Sequence, residues 1–280
     1  MTRASVGMSL LPVGESCIGR ARKSTCDRAD RALWMKNFVV NLGRQPERYD
    51  NFLRLNAATR IAFERFEASD GASLSREDAI GTKLVAPGAQ FTLGAVGCAA
   101  SHFRIWQQTV ESGTPALVFE DDAILRNDIK ERLDVLLPAL TNWDYVALGY
   151  NTDMVLDFDW APGMRSMMTF QPKYPSDEHA TVFQVSTAQV AAIRLNNCFG
   201  TPGYVVSPAG ARKLLQLCFP LDNRSYPLPA FNSTATVVGI DAMLNAVYAS
   251  IRAFACFAPL VVTKNEQAAS SVQTGAAQTW

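Results

Sequence analysis

Histidine is nearly missing from this 280-residue chain, which has only His102 and His179. Its six cysteines, Cys17, Cys26, Cys98, Cys198, Cys218 and Cys256, are scattered and form no Cys-x-x-Cys pair. That pattern fits neither a zinc centre nor a dense disulfide framework, so the thiols are expected to be reduced, as in a cytoplasmic protein. A surplus of charge is also missing, because 26 basic residues face 26 acidic ones. A protein that coats nucleic acid needs a basic field, so no nucleic-acid partner is expected. There is no Gly-x-x-x-x-Gly-Lys phosphate loop, which counts against a nucleotidyltransferase or another phosphoryl enzyme. The longest apolar stretch, 253–262, is broken by Pro259 and is far shorter than the ~20 residues that cross a bilayer.

What is present suits a globular fold. Apolar residues make up 48% of the chain, enough for a sizeable core. The first 34 residues differ, setting Arg3, Arg20, Arg22, Lys23, Arg28 and Arg31 against Glu15, Asp27 and Asp30. They contain no apolar segment of the kind a signal peptide needs. Either Met35 is the true start and 1–34 is a mis-called extension, or 1–34 is a disordered basic arm that touches anionic lipid. The sequons at Asn223 and Asn232 read as chance matches without a secretory signal.

Periodicity predicts strands at 38–42, 61–67, 116–119, 145–148 and 203–206. It predicts helices at 46–56, 96–112, 128–140, 208–217 and 240–249. Residues 72–92 read as irregular and 151–177 as a long functional loop, within a variable insertion over 151–198. The tail over 269–280 reads as mobile. Strands alternating with helices predict a single α/β domain over 35–268, with an open, mostly parallel sheet covered on both faces.

The run 116–119 is wholly apolar and ends in Glu120-Asp121-Asp122. Three adjacent carboxylates repel one another, which costs stability unless a cation or donors compensate. At the C-terminal end of a sheet strand, hard oxygen ligands suit Mg²⁺ or Mn²⁺ that also bridges substrate phosphates. Side chains alternate along an extended segment, so Glu120 and Asp122 share one face as a metal clamp while Asp121 points away. A solvated acidic turn is the competing account.

Several segments together resemble glycosyltransferase family 25, the lipooligosaccharide galactosyltransferases and their relatives. They are Val40-Asn41-Leu42 with Arg44 and Arg48, Ala68-Ser69-Asp70-Gly71, the run 92–102 with Gly97-Cys98-Ala99-Ala100-Ser101-His102 followed by Trp106, and Phe119-Glu120-Asp121-Asp122. Phe199-Gly200-Thr201-Pro202-Gly203 and Ile240-Asp241-Ala242-Met243 complete the set, in family order from about residue 37 to residue 272. The resemblance implies a GT-A-like, Rossmann-like fold that binds a nucleotide-sugar, with UDP-galactose as donor and a glycan or glycolipid such as lipooligosaccharide as acceptor. It implies that Glu120 and Asp122 hold the metal, and that Asn41, Arg44, Arg48, Asp70, Gly71, Glu120 and Asp121 line the nucleotide site. Arg48 also reads as an ordinary helix-surface residue, and Asp70-Gly71 as an ordinary turn. His102 is expected in the active site, against the alternative of a packed helix histidine.

Asp241 is the candidate general base for an inverting transfer, since such a transfer needs a carboxylate to take the acceptor hydroxyl's proton. Its competing role is that of a helix N-terminal acid, worth ~0.3–1 kcal/mol. Family members carry proline and valine before this acid, where this chain has Gly239-Ile240. A catalytically inactive carbohydrate- or partner-binding module is the remaining alternative. The family setting implies a cytoplasmic enzyme, with peripheral contact to the inner-membrane surface.

Overall fold

The computed structural model describes residues 35–264. The expectations for 1–34 and for 269–280 concern segments outside the described residues.

The chain opens with β1 (Lys36–Asn41), whose Phe38 and Val39 are buried on opposite faces. Pro46 then starts α1 (Pro46–Leu55), where its missing N–H costs nothing and Glu47 complements the first turn. Next come β2 (Glu64–Glu67) and a short α2 (Arg76–Gly81), capped by Ser75, in a region expected to be irregular. The long α3 (Leu93–Ser112) is capped by the Thr92 side chain and stopped by Gly113 in the left-handed region. It leads into β3 (Ala116–Glu120), then β4 (Ala123–Leu125), α4 (Ile129–Ala139) and β5 (Tyr145–Ala147).

The segment expected to be a loop folds into a hairpin of β6 (Leu156–Ala161) and β7 (Met164–Met168), followed by α5 (Asp177–Gln184) and β8 (Ala191–Asn197). Then follow β9 (Gly203–Val206), α6 (Pro208–Cys218), the small hairpin of β10 (Ser225–Leu228) and β11 (Ser233–Thr236), and α7 (Ile240–Val247). β12 (Ala253–Phe257) and β13 (Val261–Thr263) complete the described residues, and β13 pairs with β4.

Nine strands form one sheet in the order β2-β1-β3-β9-β5-β12-β8-β6-β7. The fold is α/β, but the sheet is mixed, which corrects the expectation of a mostly parallel one. Only β2/β1, β1/β3 and β5/β12 are parallel. β9 lies antiparallel between β3 and β5, and β8, β6 and β7 extend the sheet antiparallel beyond β12. A strand buried on both faces reads the same in either direction, so the apolar run of β9 could not disclose its orientation. Helices do cover both faces. α3, α6 and α7 pack on the side of Phe38, Val118 and Tyr204, whereas α1 and α4 pack on the side of Val39, Leu117 and Phe119. No helix among the described residues is long and apolar enough to cross a membrane.

Candidate active site

β1, β2 and β3 run parallel and end side by side, with Asn41 opposite Glu67 and Val40 opposite Glu120. β9 begins at the same edge, with Gly203 opposite Phe119. Leu117, Val118 and Phe119 are essentially inaccessible to solvent. At ~1.5–3 kcal/mol for each buried side chain, they pin β3 firmly enough to carry a crowded acidic end.

The three acids have different partners. Asp121 faces β1 and α1, where it accepts Asn41 Nδ2 at 2.7 Å and Arg48 Nε at 2.8 Å, with a second bond from the Arg48 fork. Asn41 is buried, also donates to the Gln45 carbonyl at 2.9 Å, and accepts Arg65 Nε at 2.9 Å. Asn41, Arg48 and Asp121 are therefore gathered at the site, but they are bonded to one another. Glu120 turns the other way and accepts Thr201 Oγ1 at 2.5 Å, while Asp122 Oδ2 accepts Thr263 Oγ1 at 3.0 Å.

Electrostatics separate the acids further. Burial pushes Glu120 up to about 8, and Asp122 adds more to that rise than the adjacent Asp121 does, as expected if Glu120 and Asp122 share a face. The hydrogen bond from Thr201 opposes the rise. Burial also raises Asp122, against the Thr263 hydrogen bond and the Arg48 charge. Asp122 Oδ1 is buried and accepts no hydrogen bond.

Asp241 belongs to the same site. It sits in the first turn of α7, with Oδ1 accepting the Ala242 N–H at 2.8 Å and Oδ2 accepting the Gly200 N–H at 3.3 Å. Gly200 and Thr201 therefore connect the two acids, one through its backbone and the other through its hydroxyl. Gly200 has φ +75°, and a Cβ there would lie 2.3 Å from Asn151 Oδ1, so the turn requires glycine. The Cys98 thiol is pushed well up by burial, then by Glu120 and Asp241, and so senses both acids.

Arg44 and Asp70 form a half-exposed ion pair at the rim beside β2. Asp70 Oδ1 also accepts the Ala72 N–H at 3.1 Å and caps the following turn. Gly71 is buried where this turn crosses α3, and a Cβ on Gly97 would lie 2.6 Å from both Gly71 N and Ser69 O. Ser101 secures the crossing by accepting the Ser69 N–H at 2.8 Å and donating to the Gly97 carbonyl at 2.8 Å. Gly97→Ala sets a side chain against backbone that cannot yield. It should cost about 3 kcal/mol and lower Tm by roughly 6–12 °C in thermal unfolding. A Tm within roughly 2 °C of the parent would show the crossing to be loose.

His102 lies in the core, 1% exposed, with Nδ1 2.8 Å from the Tyr204 hydroxyl, which also accepts Trp106 Nε1 at 3.1 Å. Burial pushes it down to about 4, so it is neutral at physiological pH. His179 is exposed and closes the capping box of α5 with Ser176.

Thr201, Thr263 and Ser101 received no role from the sequence. Thr201 and Ser101 sit inside motifs that were singled out. Thr263 reaches Asp122 only through β13–β4 pairing, for which no local pattern exists. Among the described residues no three carboxylate, imidazole or thiol groups converge as a metal cage. Glu120 and Asp122 are the residues that would hold a cation here. Their hard oxygens and the unbonded Asp122 Oδ1 fit Mg²⁺ or Mn²⁺, which takes its other ligands from water and phosphate.

Among curated proteins, procollagen galactosyltransferase 1 of Danio rerio is 29% identical over 192 residues, and procollagen galactosyltransferase 2 of Homo sapiens is 27% identical over 188. Inactive glycosyltransferase 25 family member 3 of Mus musculus is 30% identical over 193 residues. Each match takes in 64% of this chain but only 27–28% of the relative, so the chain spans little more than a quarter of their length. One solved structure, "Crystal Structure of A197 from STIV", covers 82% of this chain and 93% of that one, at 10% identity and a TM-score of 0.34, too distant to support an argument about fold. Residues 35–227 match the family described as "Glycosyltransferase family 25 (LPS biosynthesis protein)". With the match spanning most of the chain and the acidic triplet, the Gly200 turn and Asp241 at one sheet edge, the chain belongs to glycosyltransferase family 25.

Proposed function

We propose that the protein is a metal-dependent, inverting glycosyltransferase that uses the end of its sheet as GT-A enzymes do. On this reading it moves galactose from UDP-galactose to a glycan or glycolipid acceptor of the lipooligosaccharide kind, in the cytoplasm or at the membrane's cytoplasmic face. The observation that carries the reading is the unbonded, buried Asp122 Oδ1 beside a Glu120 pushed up to about 8. Such a pair is costly alone and is explained by a divalent cation. A bound Mn²⁺ or Mg²⁺ supplies positive charge to the departing diphosphate.

The remaining roles fall to the chain. Glu120 and Asp122 hold the cation, oriented by Thr201 and Thr263. Asp121 keeps Arg48 and Asn41 fixed beside the nucleotide, while the half-exposed pair of Arg44 and Asp70 borders it with Gly71. Asp241, held by the Gly200 N–H, takes the acceptor hydroxyl's proton as the anomeric carbon is attacked. His102 is neutral and buried, and contributes by fixing Tyr204 beneath the site.

Calorimetric titration with UDP, with and without Mn²⁺, tests the reading together with a transfer assay over a panel of nucleotide-sugars. Tighter UDP binding in Mn²⁺ and turnover of UDP-galactose are expected, and UDP affinity that ignores the metal would overturn the reading. An inactive member is the second reading, favoured by the inactive mouse relative and by Gly239-Ile240 preceding the acid. It predicts metal-linked UDP binding without turnover.

The raised Glu120 also predicts a pH dependence. Its folded value of about 8 exceeds its ordinary 4.5, so between these the native state holds more protons than the unfolded state. Stability of the metal-free protein should therefore fall as pH rises through that window and be lowest above about pH 8. Saturating Mn²⁺ should offset this, raising Tm by roughly 5–10 °C near pH 8 and by less near pH 5.5, as read by differential scanning fluorimetry against EDTA. An equal shift at both pH values would remove Glu120 from the metal site.

A further inference from the structure

α7 carries a second polar side chain toward the turn that links Asp241 to Glu120. Asn245 lies four residues after Asp241, so the two share one face of the helix, a turn apart. It is 5% exposed, and its Oδ1 accepts the Cys198 N–H at 2.9 Å. Two residues on, the Gly200 N–H donates to Asp241 at 3.3 Å. Thr201 Oγ1 then donates to Glu120 at 2.5 Å, and the Pro202 carbonyl accepts the Glu120 N–H at 3.2 Å. The backbone over 198–202 is thus tied to α7 at its first and third residues, and to the end of β3 at its fourth and fifth.

Asn245 Nδ2 has no hydrogen-bond partner. A buried amide with an idle donor is costly, and an apolar side chain would avoid that cost. What the oxygen holds accounts for the residue. Cys198 is buried, so its N–H could not turn to solvent if Asn245 were lost.

We propose that Asn245 is a positioning residue for sugar transfer, holding Cys198 so that 198–202 sets the separation of Asp241 from Glu120. The inference rests on the transferase reading above. A misplacement of about 1 Å in such a constellation can cost about 10²-fold in rate without weakening binding.

Two variants separate this role from general stability. Asn245→Ala removes the acceptor. Asn245→Asp keeps it and removes no hydrogen bond, because the donor side is idle, but it sets a buried carboxyl one turn from Asp241, so its rescue is read in exchange and not in kcat. Steady-state kinetics with UDP-galactose and Mn²⁺ should be run beside hydrogen–deuterium exchange of the peptide covering 198–202. In Asn245→Ala, exchange over 198–202 should rise about tenfold or more and kcat should fall roughly 10–100-fold, with KM for UDP-galactose within about threefold. Asn245→Asp should keep the slow exchange over 198–202. Unchanged kcat and exchange in Asn245→Ala would overturn the inference. So would an equal loss of Tm in both variants with no selective change in exchange over 198–202. A parent protein that neither transfers nor hydrolyses the donor would overturn the transferase reading and the catalytic role with it, while the exchange data would still report whether Asn245 holds the segment.

Discussion

Replacing Asp122 with asparagine should lower galactose transfer from UDP-galactose by roughly 10²–10³-fold, while leaving the metal-free protein at least as stable as the parent near pH 8. The two effects share one cause. Asp122 raises Glu120, and is itself raised by burial, so the pair loads the native state with charge that the protein alone does not neutralise. An amide in its place removes that charge and still offers Thr263 an acceptor where Oδ2 now sits. The lost repulsion offsets the cost of an amide hydrogen near the buried Oδ1 position. Catalysis should suffer because a neutral oxygen is a poor ligand for a hard cation, and leaving-group charge is then less well balanced. UDP affinity should lose most of its Mn²⁺ dependence in calorimetry. Activity lost with stability kept would mark a residue retained for chemistry. Near-parental transfer with Mn²⁺ present would rule out the clamp.

How much of this was legible in the sequence depended on the range of the interaction concerned. Several helix ends were local and readable, because Pro46 and Ser207 start α1 and α6 and Gly113 stops α3, each within a turn of itself, whereas the α3 start at Thr92 was placed about a turn too late. The acidic end of β3 was readable because an apolar run and three acids are adjacent in the chain. The direction of β9 was not, since its burial pattern is the same for parallel and antiparallel neighbours. The β6–β7 hairpin was hidden because Asp157, Pro162 and Gly163 look like loop residues, yet Asp157 is buried and paired with Arg165, with bonds at 2.6 and 2.5 Å. At the site, Asn41, Arg48 and Asp121 were singled out as ligand contacts, but residue type alone could not show that they bond to one another. Ser101 and Gly97 looked like a motif of unknown purpose, and their purpose is the crossing with Ser69 and Gly71, some thirty residues away. Long-range pairings of this kind leave no periodicity behind.

Asp241→Asn should lower kcat by roughly 10²–10⁴-fold, with KM for UDP-galactose and the Mn²⁺-linked affinity for UDP within about threefold of the parent. The carboxylate is held by one N–H on each oxygen, from Ala242 and from Gly200, which fixes its plane without neutralising it. An amide can accept only one of those bonds and cannot take the acceptor's proton. If Asp241 only complements the α7 dipole, the loss is limited to ~0.3–1 kcal/mol of stability, and turnover should barely change. The pH–rate profile sharpens the choice, because a general base gives kcat an acidic limb that Asp241→Asn abolishes, whereas a helix-end acid does not. Asp241→Glu keeps a carboxylate but moves it along the side chain, so an intermediate kcat is expected if distance to the acceptor matters. Product stereochemistry supplies an independent reading, since attack assisted by Asp241 on an α-linked donor yields a β-linked galactoside. A protein that binds UDP with Mn²⁺, releases no galactose, and is indifferent to Asp241→Asn would be placed by its chemistry with the inactive members of the family.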